Sequence, residues 1–441
     1  MTASQPTAAR PFAIRNVRLL DPESGYDAHG ALLAEDGKIT AMGPTIFGRD
    51  LFGEQIPAGA EVIDGGGHIL CPGFIDMRVF TGEPGSEHRE TLESASRAAA
   101  AGGVTTFVMM PDTDPIIDDA ALVDFILRRA LATASVRVLP AAALTRGLKG
   151  EAMTEFGLLQ EAGAVMVTDA TRAVGNALVM RRCLSYASNF DVLVAPHIDV
   201  PELAQGAANE GEFAGRMGLP GIPGIAEVIG LERDLRLLAG TGARYHAGQV
   251  STAESLEVIR RARAQGLTIS CAVSAHHLAL NELDIADYKT FAKVHPPLRA
   301  EWERQALVEG VRDGTIDAIV SSHDPQATEA KRLPFAQAAF GAIGLETLLP
   351  ASLGLYHNAG VALRDVLAKL TCGPANILRL PQGRLAPGAP ADLVLFDPDA
   401  PVRIDPQTFH SHTKNSPFKG RLMNGRVLRT IVGGRQVYAA G

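Results

Sequence analysis

Imidazole and carboxylate side chains near the ends of apolar runs are the candidates for chemistry in this chain. Imidazole nitrogens and carboxylate oxygens bind Zn²⁺ at about 2.0–2.2 Å, and a zinc ion makes hydroxide available from water near neutral pH. Such residues serve one ion only if the fold brings them together, and a buried histidine is more often simply hydrogen-bonded. The residues in question are Asp169, His197, His295, His323 and Asp324.

The four cysteines, Cys71, Cys183, Cys271 and Cys372, stand far apart and include no Cys-x-x-Cys pair. This spacing argues against a structural zinc ribbon and against a disulfide framework. Scattered thiols in a chain of 441 residues are typical of small apolar core residues in a reducing compartment. We therefore expect a cytoplasmic protein.

The charge pattern excludes two classes of partner. The formal net charge is -8, and no basic run of five or more residues occurs, so neither nucleic acid nor an anionic membrane is expected to bind. No apolar stretch approaches the roughly 20 residues that span a bilayer. The first ten residues, MTASQPTAAR, lack the apolar core of a signal peptide.

The elements that must position these side chains are read from the pattern of apolar residues. Hydrophobic residues make up 46% of the chain, and 45 glycines and 27 prolines suit an α/β protein with many turns. Short apolar runs alternate with helical patterns such as 89–101 and 254–264, the latter opening with a possible capping box at Ser251-Thr252-Ala253-Glu254. The eight predicted strands are 71–80, 104–111, 136–142, 164–169, 192–197, 243–250, 267–274 and 317–322.

Eight strands with interposed helices predict an α/β fold, a (β/α)8 barrel of the TIM type over residues 71–380, with a doubly wound sheet as the competitor. The candidate polar residues then follow strands at the carboxyl end of the barrel, where such barrels place their active sites. Both chain ends read as β, and we expect residues 1–70 and 381–441 to form one small β-sandwich domain. Its predicted strands are 12–20, a hairpin over 31–41, 61–64, 383–385, 391–396, 425–432 and 435–438.

Motifs spread over almost the whole chain, in order, resemble those of the dihydroorotases, which are cyclic amidohydrolases of the amidohydrolase superfamily. The resemblance implies the same barrel and accessory sandwich, independently of the strand count. The motifs that carry it include CPGFIDMRVFTGEPG (from residue 71), GRMGLPGIPGIAE (215–227), VSTAESLEVIRRA (250–262), KVHPPLR (293–299), DGTIDAIVSSHDP (313–325), PGAPADLVLFD (387–397) and NSPFKG (415–420).

The resemblance also implies a metal site that this chain does not keep. The family holds one or two zinc ions with a His-x-His on the first strand, a carboxylate on the fourth, a histidine on each of the fifth and sixth, and an aspartate on the eighth that handles the proton. The equivalent positions here are Arg78, Phe80, Asp169, His197, Gln249 and Ser322. Only the fifth-strand histidine is clearly intact, and one carboxylate remains on the fourth strand.

The replacements are poor metal ligands. A guanidinium stays protonated and has no acceptor, so Arg78 would repel a divalent cation, and Phe80 has no lone pair. Gln249 and Ser322 are weak neutral donors. Asp169 is expected to pair with Arg78 in place of a metal. Without zinc, hydroxide at neutral pH is scarcer by roughly eight orders of magnitude, so we expect no intact catalytic residue, no bound metal and no cofactor.

The substrate positions implied by the resemblance are altered as well. The family's arginine that grips the substrate carboxylate is Gly82 here, and two family asparagines are Asp112 and His295. An anionic dihydroorotate would meet the charge of Asp112 without an arginine to offset it.

These observations predict a pseudoenzyme of pyrimidine biosynthesis, a dihydroorotase-like protein without catalysis. Its role would be structural or regulatory in an assembly with aspartate transcarbamoylase, and it would form a homodimer or a larger assembly; both partners are implied by the resemblance alone.

Two alternatives stay open. The chain could be an active metal-dependent cyclic amidohydrolase, interconverting dihydroorotate and carbamoyl aspartate with zinc in a rearranged site. That site would need His197, Asp169, His295, His323 and Asp324 all to converge within about 2.0–2.2 Å of one ion. The other alternative is a small-molecule sensor that keeps the pocket and has lost the chemistry.

Overall fold

The computed structural model describes residues 10–44 and 59–441. The prediction that no signal peptide is present rests on MTASQPTAAR, of which residues 1–9 lie outside the described part. Among the described residues, every helix is too short or too polar to cross a lipid bilayer. All four cysteines are buried and none forms a disulfide.

Eight parallel strand positions follow one another around a closed ring. The second strand pairs with the third, where Ala141 N donates to Met109 O. The third strand pairs with the fourth, where Ala142 N donates to Met166 O. A parallel bridge between Val79 and His323 joins the eighth position to the first. In order, the ring strands are Phe74–Val79, Val104–Met109, Arg137–Pro140 with Ala142–Ala143, Val167–Thr168, Leu193–Val194, Arg244–Ala247, Ile269–Ser274 and Ala318–Val320.

Helices follow the ring strands along the chain and pack their apolar faces onto the outside of the ring. The interior is filled by a separate cluster that includes Ile75, Met77, Phe80 and Val108. The described α-helices are Leu92–Ala101, Ala120–Thr133, Phe156–Glu161, Ala177–Ala187, Glu212–Met217, Gly224–Leu238, Ala253–Ala264, Ala275–Ala279, Glu301–Arg312, Thr328–Lys331, Leu348–Ala359, Leu363–Ala368 and Cys372–Leu378.

The helix Ala253–Ala264 begins one residue later than the predicted capping box. Its N-cap is Thr252, whose side chain accepts from Ser255 N at 3.2 Å. The hydroxyl of Ser251, the predicted cap, donates to the buried Glu227. A capping box between Ser251 and Glu254 is therefore wrong, because a longer-range carboxylate takes the serine hydroxyl.

Strands from both ends of the described chain pair into one sheet of eight strands beside the ring. The first strand of this sheet is Phe12–Asp21, which pairs in parallel with Glu61–Asp64 and with Ile69–Pro72. From the other end of the chain, Leu393–Arg403 pairs with Ile69–Pro72. The remaining strands are Tyr26–Glu35, Lys38–Gly43, Leu422–Val432 and Arg435–Ala439. The predicted strand at 383–385 is not formed.

The predicted strand 71–80 is in fact two strands that belong to different sheets. Ile69–Pro72 lies in the end sheet and Phe74–Val79 in the ring, and the chain crosses at Gly73. Gly73 N donates to Asp392 O at 2.8 Å, and a Cβ at residue 73 would lie 2.2 Å from the side chain of Thr105. A continuous apolar run hid this crossing, because both strands are buried.

Candidate functional site

A cavity of about 390 Å³ opens among the segments that follow the ring strands. It receives side chains from the first strand's end, from the loop after the second strand, and from the long segment after the eighth. Its lining includes Arg78, Phe80, Asp112, His295, Ser322 and Asp324. The carboxyl ends of parallel strands meet at one face, which is why residues so distant in the chain share this space.

Arg78 and Phe80 stand at the end of the first ring strand. The Arg78 side chain is 4% exposed, its Nη2 donates to Ala170 O at 3.0 Å, and its Nε has no hydrogen-bond partner among the described residues. Its guanidinium carbon lies 5.3 Å from the centre of the Phe80 ring, in cation–π contact. Burial lowers the pKa of Arg78 to about 10, so it stays charged near neutral pH.

The expected ion pair between Arg78 and Asp169 is wrong. Asp169 is satisfied locally, because its carboxylate accepts from Thr145 N at 2.8 Å and from Thr145 Oγ1 at 2.5 Å. Burial raises the pKa of Asp169 to about 6, against the hydrogen bonds that lower it. The arginine reaches a backbone carbonyl next to Asp169 and not its carboxylate.

Gln249 and Ser322 bind each other and sit as neutral groups at the sixth and eighth strand ends. Ser322 Oγ donates to Gln249 Oε1 at 3.2 Å, and the Gln249 amide nitrogen lies 3.3 Å from His277 Nδ1. This chain of hydrogen bonds uses the polar atoms of both residues, so neither position offers a free ligand atom of high affinity.

Three side chains that could hold a metal ion converge beside the cavity: His197, Asp199 and His295. Asp199 Oδ2 lies 3.6 Å from His197 Nε2 and 3.3 Å from His295 Nε2. The two imidazole rings are 4.8 Å apart, centre to centre. His295 is the member that lines the cavity, while His197 and Asp199 are buried behind it.

The protonation states of this cluster suit metal binding. Burial lowers the pKa of His197 to about 4, helped by the neighbouring His295 and Arg78, so its imidazole is neutral near pH 7. Burial would raise the pKa of Asp199, but its interactions with the two histidines outweigh burial and hold that pKa well below its usual range. A neutral imidazole and an ionised carboxylate are the forms that bind zinc.

The donor set fits a zinc ion. Ligands about 2.1 Å from a tetrahedral ion lie about 3.4 Å from one another, which matches the spacing of Asp199 Oδ2 from both histidine nitrogens. His197 Nε2, which faces Asp199, is buried without a hydrogen-bond partner among the described residues. Three protein ligands with a fourth position left for water are typical of catalytic zinc sites.

Sequence reasoning named His197 and His295 but missed Asp199. The signal was present as His197-Ile198-Asp199, a His-x-Asp spacing just after the fifth ring strand. It was overlooked because Asp199 does not match any ligand position that the resemblance implies.

The other members of the predicted rearranged site do not join this cluster. His323 is fully buried, its Nε2 lies 3.4 Å from Glu90 Oε2, and its Nδ1 accepts from Gly344 N at 3.2 Å. Asp324 accepts from Arg89 Nη2 at 2.9 Å. Both are held by partners of their own, and Asp169 is held by Thr145. Of the predicted metal candidates, the structure brings together His197 and His295.

The substrate positions implied by the resemblance have distinct surroundings. A Cβ at Gly82 would lie 1.9 Å from Ser86 O, so the loop excludes any side chain there. Asp112 lines the cavity, and burial together with Asp324 raises its pKa to about 6. His295, which stands at a substrate position that the resemblance implies, belongs to the three-residue cluster in this structure.

Comparison with known proteins places the chain among cyclic amidohydrolases. Residues 67–255 match a family model described as Dihydro-orotase-like, and residues 317–438 match the model Amidohydrolase family. A dihydroorotase of Anaplasma phagocytophilum is 45% identical over 427 residues, which is 96% of this chain and 94% of that protein. A dihydroorotase of Syntrophotalea carbinolica is 40% identical over 426 residues, 96% of this chain and 98% of that one.

Solved structures share the fold. The L-hydantoinase (dihydropyrimidinase) from Arthrobacter aurescens has a TM-score of 0.87 at 24% identity, covering 98% of this chain and 96% of that one. A dihydropyrimidinase from Brevibacillus agri has a TM-score of 0.82 at 21% identity, covering 97% and 95%. At these identities the likeness is one of architecture alone.

The comparisons overturn the expectation of an inactive homologue that acts as a structural or regulatory part of an aspartate transcarbamoylase assembly. Relatives 40–45% identical over nearly the whole chain are named dihydroorotase, and three side chains converge in a way that could hold a metal ion where none was expected. Aspartate transcarbamoylase and a homodimer as partners stay predictions. With this degree of identity over this share of both sequences, the chain belongs to the dihydroorotases of the amidohydrolase superfamily.

Proposed function

We propose that this protein is an active, metal-dependent cyclic amidohydrolase that interconverts dihydroorotate and carbamoyl aspartate with a rearranged metal site. The observation that carries the proposal is the convergence of His197, Asp199 and His295, of which His295 lines the cavity. The full-length relatives that bear the name dihydroorotase support the substrate class.

The reaction adds water across the ring amide. In the hydrolytic direction the hydroxyl joins the carbonyl carbon, the carbon–nitrogen bond breaks, and the nitrogen takes the proton. A zinc ion held by the three residues would lower the pKa of a water molecule to about 7 and so supply hydroxide at neutral pH. No residue of the family's usual first-strand pair takes part in holding it.

The residues of the chain itself supply binding, exclusion of water and proton transfer. Phe80 and Phe340 are among the residues that line the cavity and give it apolar surface on which a small ring could pack. Asp112 and Asp324 lie on the same wall, and the pKa of Asp112 near 6 lets its carboxyl accept or return a proton close to neutral pH.

The positive charge of Arg78 lies near the proposed zinc site, so negative charges must offset its repulsion of the metal ion. Arg78 is close enough to His197 to lower the pKa of that histidine, so it would also repel a divalent ion. Asp199 contributes a negative charge to the cluster, and Asp112 is near enough to Arg78 on the cavity side to raise the pKa of that arginine. These carboxylates offset the repulsion.

The test combines metal analysis with turnover. We expect purified protein to hold about one zinc ion per chain and to convert dihydroorotate to carbamoyl aspartate. His197→Ala and His295→Ala should each lose both properties, while His29→Ala, an exposed histidine on the end sheet, should keep them. Full zinc content in both cluster variants, or a zinc-loaded protein without turnover, contradicts the proposal.

A further inference from the structure

Arg78 is the feature of the cavity that the proposed metal site leaves unexplained. We propose that Arg78 binds the substrate's carboxylate and selects a ring that bears a carboxylate over the same ring without one. This inference rests on the proposed function for the identity of the substrate. It goes beyond it in assigning a specificity-determining residue where the family has a metal ligand.

The guanidinium of Arg78 has donor capacity that the described residues do not use. The residue is 4% exposed and lines the cavity, yet its Nε is buried without a partner. The guanidinium has five N–H donors, and its contact with a ligand would be made by the part that lines the cavity. The hydrogen bond from Nη2 to Ala170 O, at 3.0 Å, occupies one of these donors.

Arg89, the other arginine on the cavity wall, is already engaged. Its Nη2 donates to Asp324 at 2.9 Å and its Nε donates to Pro325 O at 2.8 Å. Arg78 has no such carboxylate within hydrogen-bond distance among the described residues, although Asp112 and Asp324 are near enough to raise its pKa. An anion that enters the cavity therefore meets one arginine that is already paired with a carboxylate, Arg89, and one that is not, Arg78.

The position that the family uses for this task cannot serve here. A Cβ at residue 82 would lie 1.9 Å from Ser86 O, and Gly82 N is itself bound to Glu90 O at 2.8 Å. The loop is therefore closed to a side chain of any length. A carboxylate in the cavity needs a cation from elsewhere, and Arg78 lines the cavity with a guanidinium, the cationic group that pairs best with a carboxylate.

Two ring compounds that differ by the carboxylate alone test this assignment. We would measure the binding of orotate and of uracil by calorimetry to the wild-type protein, to Arg78→Met and to Arg78→Lys. The wild type should prefer orotate, and Arg78→Met should bind orotate about 10- to 100-fold more weakly with uracil binding unchanged. Arg78→Lys should regain part of the loss, since it keeps the charge without the fork.

The controls separate binding from folding and from catalysis. Arg216→Met removes an exposed arginine and should change neither affinity. Equal loss of orotate and uracil binding in Arg78→Met, unchanged orotate binding in that variant, or a wild type that does not prefer orotate would overturn the inference. The binding measurement needs no turnover, so it tests Arg78 separately from the proposed function. If the protein lacks zinc or activity but still prefers orotate through Arg78, the proposed function is wrong and the inference on Arg78 stands.

Discussion

The carbonyl oxygen of Ser86 lies 1.9 Å from the place that a Cβ of residue 82 would occupy, so the loop after the first ring strand closes directly onto Gly82. The same loop is tied back by Gly82 N to Glu90 O and by Ser86 N to Gly82 O. It carries Arg89 to the cavity wall.

Gly82→Ala should therefore destabilise the protein by about 2–4 kcal/mol, because backbone and not a flexible side chain must give way. Chemical denaturation measures the effect. The matched control is Gly215→Ala in the helix Glu212–Met217, where a Cβ meets nothing within 4 Å. That change should stabilise by up to about 1 kcal/mol. Equal effects of the two substitutions would show that the contact at Ser86 is not a constraint.

The ring strands could be predicted from the sequence, but the arrangement of the candidate site could not. The apolar runs predicted positions such as Val104–Met109 and Ile269–Ser274 to within a few residues, because parallel strands buried on both faces are apolar throughout. The same property concealed the crossing at Gly73, where one apolar run serves two sheets. The hydrophobicity of a segment predicts that it is buried, but it does not predict which sheet the segment joins.

The site depended on long-range contacts that no local pattern contains. The resemblance drew attention to Arg78 and His197. The chemistry of the two side chains suggested that Asp169 pairs with Arg78, whereas Thr145 from the preceding segment takes that carboxylate. Asp199 was missed because its role arises only when His295 comes within 3.3 Å of it. Those two residues are almost a hundred positions apart.

Lys331 holds together the segment that forms one wall of the cavity. Its buried ammonium donates to three carbonyl oxygens, those of Thr290, Lys293 and Ala339, at 3.0, 3.2 and 2.7 Å. Lys331→Met would leave three buried acceptors without their donor, and we expect a loss of about 2–5 kcal/mol in the free energy of unfolding. Lys419→Met, at an exposed lysine, should change it by less than about 0.5 kcal/mol.

Ligand binding in the cavity should also be weakened when Lys331 is replaced by methionine. Phe340, Gly341 and Ala342 line the cavity just after Ala339, so loosening this segment in Lys331→Met should weaken orotate and uracil binding together. A Lys331→Met protein as stable as the wild type would mean that water replaces the ammonium at all three carbonyls.

Asp76 makes the folded state sensitive to pH. Burial raises its pKa from 3.8 to about 6, although hydrogen bonds from Arg78 N and Ser321 N partly oppose burial. Because the folded state binds this proton more tightly than the unfolded state, stability falls as the pH rises from about 4 to about 6 and stays lower above that. The contribution amounts to about 3 kcal/mol at most.

Asp76→Asn should remove this slope. An asparagine oxygen can still accept from both backbone N–H groups, so the variant keeps the geometry without the titration. Unfolding free energies measured between pH 4.5 and 7.5 should fall less steeply in the variant than in the wild type. The other buried carboxyls titrate in both proteins and cancel in the comparison. Identical slopes would show that Asp76 keeps an ordinary pKa in the folded state.

Asp112 should make the binding of an anionic ligand depend on pH. Its carboxyl lines the cavity, faces Asp324, Arg89 and Arg78, and has a pKa raised to about 6 by burial and by Asp324. Below that pKa Asp112 is neutral, and above it a negative charge repels a carboxylate ligand in the same cavity. Orotate should therefore bind about tenfold more tightly at pH 5.5 than at pH 7.5.

Asp112→Asn provides the decisive comparison for this pH effect. The variant should bind orotate at pH 7.5 as tightly as the wild type does at pH 5.5, and its affinity should vary little between the two values. Asp399→Asn, which neutralises an exposed aspartate of the end sheet, should keep the wild-type dependence. If the slope persists in Asp112→Asn, another group in the cavity titrates. The carboxylate of the ligand itself stays ionised throughout this range and cannot account for the change.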